Sequence, residues 1–416
     1  MDLSRNDELL LYCLRVVQDE TGDGRLEGLS SSDWDVVFKE SRRYGVAPLL
    51  YHRLRTSHSG TPVPASAMEK LQLVYLQSSA RNMHLYQELG KILERLRHDS
   101  IQVIALKGVH VAAAVYQNIA LRPMEDIDLL VKQTDLLRVQ EILVKQGYIS
   151  SKEESSGFCL GLGSAQVHLP MYRKGDSLVV EIHFNIVGPP FSLQLDVEKL
   201  WGRAQMSSLQ GIEVLTLCPE DLLIHLCMHF SFHHGFDNGI RPLFDISQTI
   251  QHYERELDWE QVLNRSKEWG VVKCIYLALS LANKFVGAPI PVQIMKDLDV
   301  YNDSFTATAL AEELIFTKST HVAPNIAMLF DNKSLLDRLI HFIRCVFPPK
   351  NTMADMHLLV RNPLSVYSLY FFRIKGLLKR HGQTVWRLFL RDREISTYAK
   401  FENKRNALKN WLIQRN

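Results

Sequence analysis

The spacing of apolar residues changes along the chain and predicts which elements follow one another. Through the first hundred residues, apolar side chains recur every three or four positions, as in the stripes that begin at Leu9 and Trp34. This spacing is typical of amphipathic helices. A longer helical pattern begins at Pro64, where proline suits the first turn, and runs to about Arg97.

After residue 100, short apolar runs alternate with turn residues. The predicted strands are 101–106, 127–131, 167–173 and 178–186, with helices predicted at 109–118 and 135–146. From Pro219 onward the spacing is helical again. We therefore expect an α+β fold with a mixed sheet between two helical regions. The predicted division is 1–98 for the N-terminal helical region, 99–217 for the α/β core and 218–416 for the C-terminal helical region.

Composition narrows the class of protein. The chain has 416 residues, 46% of them hydrophobic and 23% charged, as in soluble globular proteins. The sequence contains no run of about 18 apolar residues, so no membrane span is predicted. Its N-terminal residues are acidic where a signal peptide is basic. Six cysteines are scattered without a CxxC pair, which is typical of reduced thiols and predicts a cytoplasmic location.

Positive charge is concentrated at the C-terminal end. Residues 373–416 contain twelve Lys or Arg and three Asp or Glu, a net +9, so that the net charge of +2 leaves −7 for the rest. A basic segment suits nucleic acid, an acidic partner or a membrane surface. Its apolar stripe, which includes Trp386 and Phe389, favours an ordinary helix packed on the protein with a solvated basic face.

The pattern richest in chemistry is Leu106-Lys107-Gly108, followed after residues 109–125 by Asp126 and Asp128 on an apolar strand. Side chains two apart on a strand point to the same side, so both carboxylates are predicted to bind the same ions. Mg²⁺, or Mn²⁺ in its place, binds carboxylate oxygens together with substrate phosphates. The pattern therefore predicts a metal site that acts on a nucleotide.

A third carboxylate follows on a later strand. Glu181 lies among apolar residues in Leu178-Val179-Val180-Glu181-Ile182, so it requires a partner, and a metal shared with the two aspartates would supply one. An arginine is the alternative partner. His183 lies two residues further on and is predicted to face the same side as Glu181.

These residues, in this order, resemble the nucleotidyltransferase superfamily with the DNA-polymerase-β-type fold. More narrowly, the chain resembles a bacterial family of uncharacterised nucleotidyltransferases. The matching segments are Leu106-Lys107-Gly108, Tyr116, Arg122-Pro123-Met124-Glu125-Asp126-Ile127-Asp128, Glu181-Ile182-His183-Phe184, the His-rich segment 225–234 and the segment 241–246. The resemblance spans roughly residues 30–270 and implies the minimal mixed sheet of that superfamily with flanking helices.

The resemblance implies a reaction and its participants. A nucleoside monophosphate would move from an NTP, such as ATP, to a hydroxyl or phosphate of an acceptor. Asp126, Asp128 and Glu181 would hold the metal ions and carry catalysis. Lys107, Gly108, Arg122 and His183 would bind the nucleotide. Because some members of the family accompany peptide-tailoring genes, a peptide natural product is one acceptor, and a protein or another small molecule is an alternative.

Two features leave alternatives open. The wider superfamily has Gly-Ser at the turn, whereas this chain has Lys107-Gly108, so that Lys107 would contact the phosphate as a point charge. Arg122 suits either a triphosphate clamp or a structural ion pair with Glu125 or an aspartate.

The His-rich segment has a second set of candidates. His225, His229 and His233 are spaced four apart, a spacing that can bind zinc on one helix face, but no His-Glu-x-x-His motif accompanies it. We therefore expect His229 and His233 to line the substrate cleft, with Tyr116. Arg241 and Asp245 are predicted to form a supporting pair there.

Two other functions remain open from the sequence. A non-catalytic nucleotide-sensing or partner-binding module would keep the fold, although the presence of all three carboxylates favours the enzyme. A nucleic-acid-end nucleotidyltransferase would use the basic C-terminal segment and predicts steep salt dependence of nucleic-acid binding.

Overall fold

The structure, a computed structural model, describes residues 3–19, 28–56, 63–150, 168–169, 171–175, 178–188, 190–191, 195–299, 304–317 and 393–414. The chain divides into two compact units. One comprises residues 1–151, 166–316 and 412–416, and the other comprises 152–165 and 317–411. None of the described helices is long and apolar enough to cross a membrane.

The described helices lie before, within and after the sheet region. Those up to the end of the sheet region are α1 (Arg5–Asp19), α2 (Ser31–Arg43), α3 (Ala47–Thr56), α4 (Ala65–His98), α5 (Lys107–His110), α6 (Leu136–Lys145) and α7 (Val197–Arg203). Those that follow are α8 (Pro219–Met228), α9 (Arg241–His252), α10 (Trp259–Glu268), α11 (Val272–Val286), α12 (Val292–Leu298), α13 (Ser304–Phe316) and α14 (Arg393–Ile413).

Two of the helices continue into wider π-helical turns. Val111–Val115 extends α5, and His229–His233 extends α8. Single π-helical turns within helices occur frequently at functional sites.

The described strands form one mixed sheet. They are β1 (Ile104–Ala105), β2 (Asp126–Leu130), β3 (Ile149–Ser150), β4 (Tyr172–Lys174), β5 (Leu178–His183), β6 (Gln205–Leu209) and β7 (Ile212–Thr216). The order across the sheet is β3-β4-β5-β2-β1-β7-β6. The pairs β2–β5 and β1–β7 are parallel, and the other neighbouring pairs are antiparallel.

The core lies on one face of the two central strands. Ile127 and Leu129 of β2 are fully buried beside Val180 and Ile182 of β5. The same cluster includes apolar residues of α4 and α6. Since side chains alternate along a strand, Asp126, Asp128, Glu181 and His183 project from the opposite face. The apolar alternation thus decides which face carries the polar residues.

The predicted α+β class, with a mixed sheet and flanking helices, is confirmed. The strands predicted at 127–131 and 178–186 are present as β2 and β5, and α8 begins at Pro219 as expected. The strand predicted at 167–173 lies partly outside the described residues, and β4 begins later, at Tyr172. Similarly, only part of the basic segment 373–416 is described, where it is helical.

One pair of strands was not predicted. β6 and β7 form a hairpin whose two connecting residues, Gln210 and Gly211, have φ values of 53° and 80°. Such φ values suit the two-residue turns that match strand twist. The Gln-Gly pair is a weaker turn signal than Asn-Gly or Asp-Gly, and the exposed Gln205 and Met206 begin β6 without apolar alternation.

Candidate active site

The three predicted carboxylates lie on two neighbouring strands. β2 and β5 run parallel, and their register places Asp128 directly opposite Glu181 and Asp126 opposite Val179. Adjacent strands lie about 5 Å apart. The structure therefore brings together residues more than fifty positions apart in the chain, and it does so through the strand pairing itself.

Lys107 supplies a positive charge to this cluster. Its Nζ lies 2.8 Å from Oδ1 of Asp128, and both side chains are buried. The backbone of Lys107 has a φ of 42°, in the left-handed region that residues other than glycine rarely adopt. Such strain is concentrated at functional sites. The anion that a buried lysine requires is, in this structure, Asp128.

His183 bridges the two strands. Its Nε2 lies 2.8 Å from Oδ1 of Asp128 and 3.4 Å from Oε2 of Glu181. Asp128, Glu181 and His183 each have one atom that could bind a metal ion, and these three atoms lie within 4.8 Å of one another. His183 was predicted to bind the nucleotide; its observed contacts are with the two carboxylates.

The three carboxyl groups of the cluster have different pKa values. Burial and the adjacent negative charge of Asp128 raise the pKa of Asp126 to about 6. Burial alone would also raise the pKa of Asp128, but the Lys107 ammonium and the His183 hydrogen bond hold it well below its usual range. The hydrogen bond from His183 lowers the pKa of Glu181. At neutral pH, Asp128 and Glu181 are therefore carboxylates, and Asp126 is the member most easily protonated.

Arg122 contacts an aspartate rather than projecting into open space. Its Nε lies 3.1 Å from both carboxylate oxygens of Asp245 on α9, and its Nη2 lies 3.0 Å from Oδ2. Tyr116 donates its hydroxyl to the same carboxylate at 3.1 Å. Of the two roles left open for Arg122, these contacts are those of the structural ion pair.

The predicted pairing of Asp245 with Arg241 is replaced by this arrangement. Arg241 instead donates from Nη1 to the carbonyl of Pro123 at 3.1 Å. Both contacts therefore join α9 to the segment that leads into β2, one through the Asp245 carboxylate and one through the Pro123 carbonyl. These contacts are structural, and the segment that they hold leads directly to the carboxylates of β2.

Gly108 is required by close packing. A Cβ atom at this position would lie 2.9 Å from Nη1 of Arg122 and 3.3 Å from Sδ of Met124. Glycine thus lets the Arg122 guanidinium lie directly against the turn after β1. Gly108 was predicted to approach phosphates; its observed neighbours are these two side chains.

Asn82 of α4 is a positioning residue that the sequence did not indicate. It is fully buried, and its Nδ2 donates to the carbonyl of Arg122 at 2.8 Å. Its Oδ1 accepts from the backbone N–H of Met124 at 3.3 Å. A lone asparagine within a long helical pattern has no distinguishing spacing, so its contact with the β2 segment is visible only in the folded chain.

The histidines of α8 and its π-helical turn lie close to one another. The ring centroid of His229 lies 5.0 Å from that of His233 and 4.4 Å from that of His234. His225, one turn earlier, is buried, and its ring centroid lies 6.0 Å from that of His229. Burial and the nearby positive charge of Lys107 lower the pKa of both His225, to about 3, and His229.

The mixed sheet has two carboxylates on one strand and a third on its parallel neighbour, the arrangement that the resemblance to nucleotidyltransferases implied. The family model described as uncharacterised nucleotidyltransferase matches residues 30–287, more than half of the chain. The chain belongs to this family, which the resemblance in the sequence had indicated. Neither a curated protein nor a solved structure matches the chain.

Proposed function

We propose that this protein transfers a nucleoside monophosphate from an NTP to a hydroxyl or phosphate of an acceptor. Family membership supports nucleotidyl transfer as the general chemistry. The observation that carries the proposal is the register of β2 and β5, which places Asp128 opposite Glu181 with Asp126 on the same face.

The site fits a divalent cation. Asp126, Asp128 and Glu181 bring three carboxyl groups together, and burial together with the adjacent negative charge of Asp128 raises the pKa of Asp126, so a bound cation would favour its ionised form. Oxygen ligands of this kind suit Mg²⁺, with Mn²⁺ as the alternative. These three residues would hold the metal. The chemistry that bound Mg²⁺ supplies is neutralisation of the negative charge on the phosphate oxygens.

The residues around the carboxylates would orient the substrate. The Lys107 ammonium lies against Asp128 and would contact a phosphate oxygen of the NTP as a point charge. Gly108 leaves room for the Arg122 side chain at the turn, and Arg122, already neutralised by Asp245, would keep that turn in place. Positioning and electrostatics of this type account for most of the catalysis in phosphoryl transfer.

Glu181 would act as the general base. It is half-buried, and its lowered pKa keeps it ionised at neutral pH. It would accept the proton of the acceptor hydroxyl as that oxygen forms a bond to the α-phosphorus. The bond between the α-phosphorus and the oxygen that bridges to the β-phosphate would break, and pyrophosphate would leave. His183 would orient the Glu181 carboxylate through its 3.4 Å contact.

The acceptor class follows from the resemblance alone. A peptide natural product is proposed first, with a protein or another small molecule as alternatives. Incubation of the protein with each labelled NTP, Mg²⁺ and a cell extract, followed by identification of the labelled species, tests the reaction and identifies the acceptor together. Wild-type protein that binds NTP without labelling any acceptor would favour the binding-module alternative.

Glu181→Gln tests the catalytic role. We expect transfer to fall by about 10²–10⁴-fold, the range for loss of a general acid or base, while NTP binding remains. Glu213→Gln is the matched control, because Glu213 is an exposed glutamate on β7, away from the paired β2 and β5 strands. Equal activity of the two variants would refute the three-carboxylate mechanism.

A further inference from the structure

The π-helical turn at the end of α8 changes which histidines lie side by side. In an α-helix, with about 3.6 residues per turn, residues i and i+4 are neighbours but residue i+5 has rotated away. Here the N–H of His234 donates to the carbonyl of His229 at 3.0 Å, an i to i+5 bond. His234 therefore lies one wider turn from His229, next to His233.

This geometry assembles three imidazoles that the sequence spacing alone does not. His229 and His233 are stacked with an interplanar angle of 11°, and His234 meets both rings nearly edge-on, at 81° and 84°. One ring nitrogen from each of the three lies within 4.8 Å of the other two. Two nitrogens bound to one tetrahedral Zn²⁺ lie about 3.4 Å apart, because each Zn–N bond is about 2.0–2.1 Å. Rotation of the imidazole rings about their side-chain bonds would bring the three nitrogens to this spacing, and the His233 side chain is exposed.

A second observation also points to a ligand here. His225 is only 1% exposed, and neither of its ring nitrogens has a hydrogen-bond partner among the described residues. A buried polar group without a hydrogen-bond partner is energetically unfavourable. Such groups in native proteins usually contact a water molecule or an ion. The ring lies 6.0 Å from His229, on the side of α8 that carries the other histidines.

We propose that His229, His233 and His234 bind a divalent transition-metal ion of the Zn²⁺ type through three imidazole nitrogens. Three protein ligands leave at least one coordination position for water or an incoming ligand. His225 lies next to this position as a hydrogen-bonding partner for whatever occupies it. The site is distinct from the carboxylate cluster in chemistry, since imidazole nitrogen selects transition metals whereas carboxylate oxygen selects Mg²⁺.

Titration of the full-length chain with Co²⁺, in the presence of a large excess of Mg²⁺ and without nucleotide, tests the proposal. We expect one Co²⁺ per chain, visible by its absorption bands. His233→Ala should weaken binding by at least about 100-fold, because even loss of a group that supports a metal ligand weakens binding by about 10–100-fold. His98→Ala is the matched control, an exposed histidine at the end of α4. Because no nucleotide is present, the outcome is independent of the transfer reaction.

Two further variants keep the result interpretable. His234→Asn should reproduce the loss of Co²⁺ affinity seen with His233→Ala. An unchanged thermal melt of His233→Ala, whose substituted side chain is exposed, would show that the fold is intact. Glu181→Gln should retain Co²⁺ binding. Wild-type affinity in His233→Ala, or loss of Co²⁺ in Glu181→Gln alone, would overturn the proposal and assign the ion to the carboxylate cluster.

Discussion

Asp126 and Asp128 lie two residues apart on one strand, yet their surroundings differ. Asp128 is held by Lys107 and His183, each at 2.8 Å from Oδ1. Asp126 is partly buried beside that carboxylate, and burial together with the charge of Asp128 raises the pKa of Asp126 to about 6. One negative charge therefore stabilises the fold, and the other opposes it.

Asparagine at each position should separate these effects. Asp126→Asn should stabilise the protein at pH 7 by about 1–3 kcal/mol, since a shift of one pKa unit is worth about 1.4 kcal/mol. Asp128→Asn should destabilise it by up to about 3–5 kcal/mol, because Lys107 then lies buried without its anion. Metal-free chemical denaturation measures both changes. Equal effects of the two variants would contradict this electrostatic assignment.

The gain from Asp126→Asn should depend on pH. A folded pKa raised above the unfolded value means that the folded state binds the proton more tightly between about pH 4 and 6. Wild-type stability from this group is therefore present at low pH and is lost as pH rises through about 6. The difference between Asp126→Asn and the wild type should accordingly be small near pH 4 and complete by pH 7.

The turn after β1 and the segment before β2 form a packed unit. Gly108 lies against Arg122, Arg122 pairs with Asp245 of α9, and Asn82 of α4 accepts from Met124 while donating to Arg122. Two helices thus hold the backbone that leads to the carboxylates. This explains why the glycine matters without a positive φ.

Gly108→Ala should destabilise the protein by about 1–3 kcal/mol, the usual range for overpacking. The added Cβ meets Arg122, which Asp245 prevents from moving freely. Gly202→Ala is the matched control, since Gly202 lies in α7 with nothing within 4 Å of its Cβ position. That variant should be neutral or stabilising by up to about 1 kcal/mol. Thermal melts compare them, and equal stabilities would refute the packing role of Gly108.

The proposed site links metal and nucleotide binding to the stability of the compact unit that contains it. A ligand that binds only the folded state stabilises it by about 2.7 kcal/mol at 100 times its Kd. We expect this gain when Mg²⁺ and a non-hydrolysable NTP are present together, with each of the four nucleotides compared. Differential scanning fluorimetry measures the change in Tm.

Asp126→Asn should lose most of the shift that requires both ligands, and Glu213→Gln should keep it. A shift produced equally by nucleotide with or without Mg²⁺ would contradict metal dependence. It would leave the site as a nucleotide-binding site without the proposed cation.

The sequence by itself determined the α+β class, the two central strands and the three carboxylates as candidates. The physical reason is local: period-two alternation identifies a strand and its buried face, and a carboxylate among apolar neighbours requires a partner. It also determined the order of motifs that indicated the family. These signals lie within short stretches of chain, so they need no knowledge of the fold.

Tertiary structure decided the partners. Three contacts depend on elements that are distant in sequence. Lys107 contacts Asp128, Arg122 rather than Arg241 pairs with Asp245, and Asn82 holds the segment before β2. The sequence also placed His225, His229 and His233 on one α-helical face, whereas the π-helical turn brings His234 beside His229 and His233. Helical spacing predicts neighbours only when the turn width is known, and that width is set by packing around the helix.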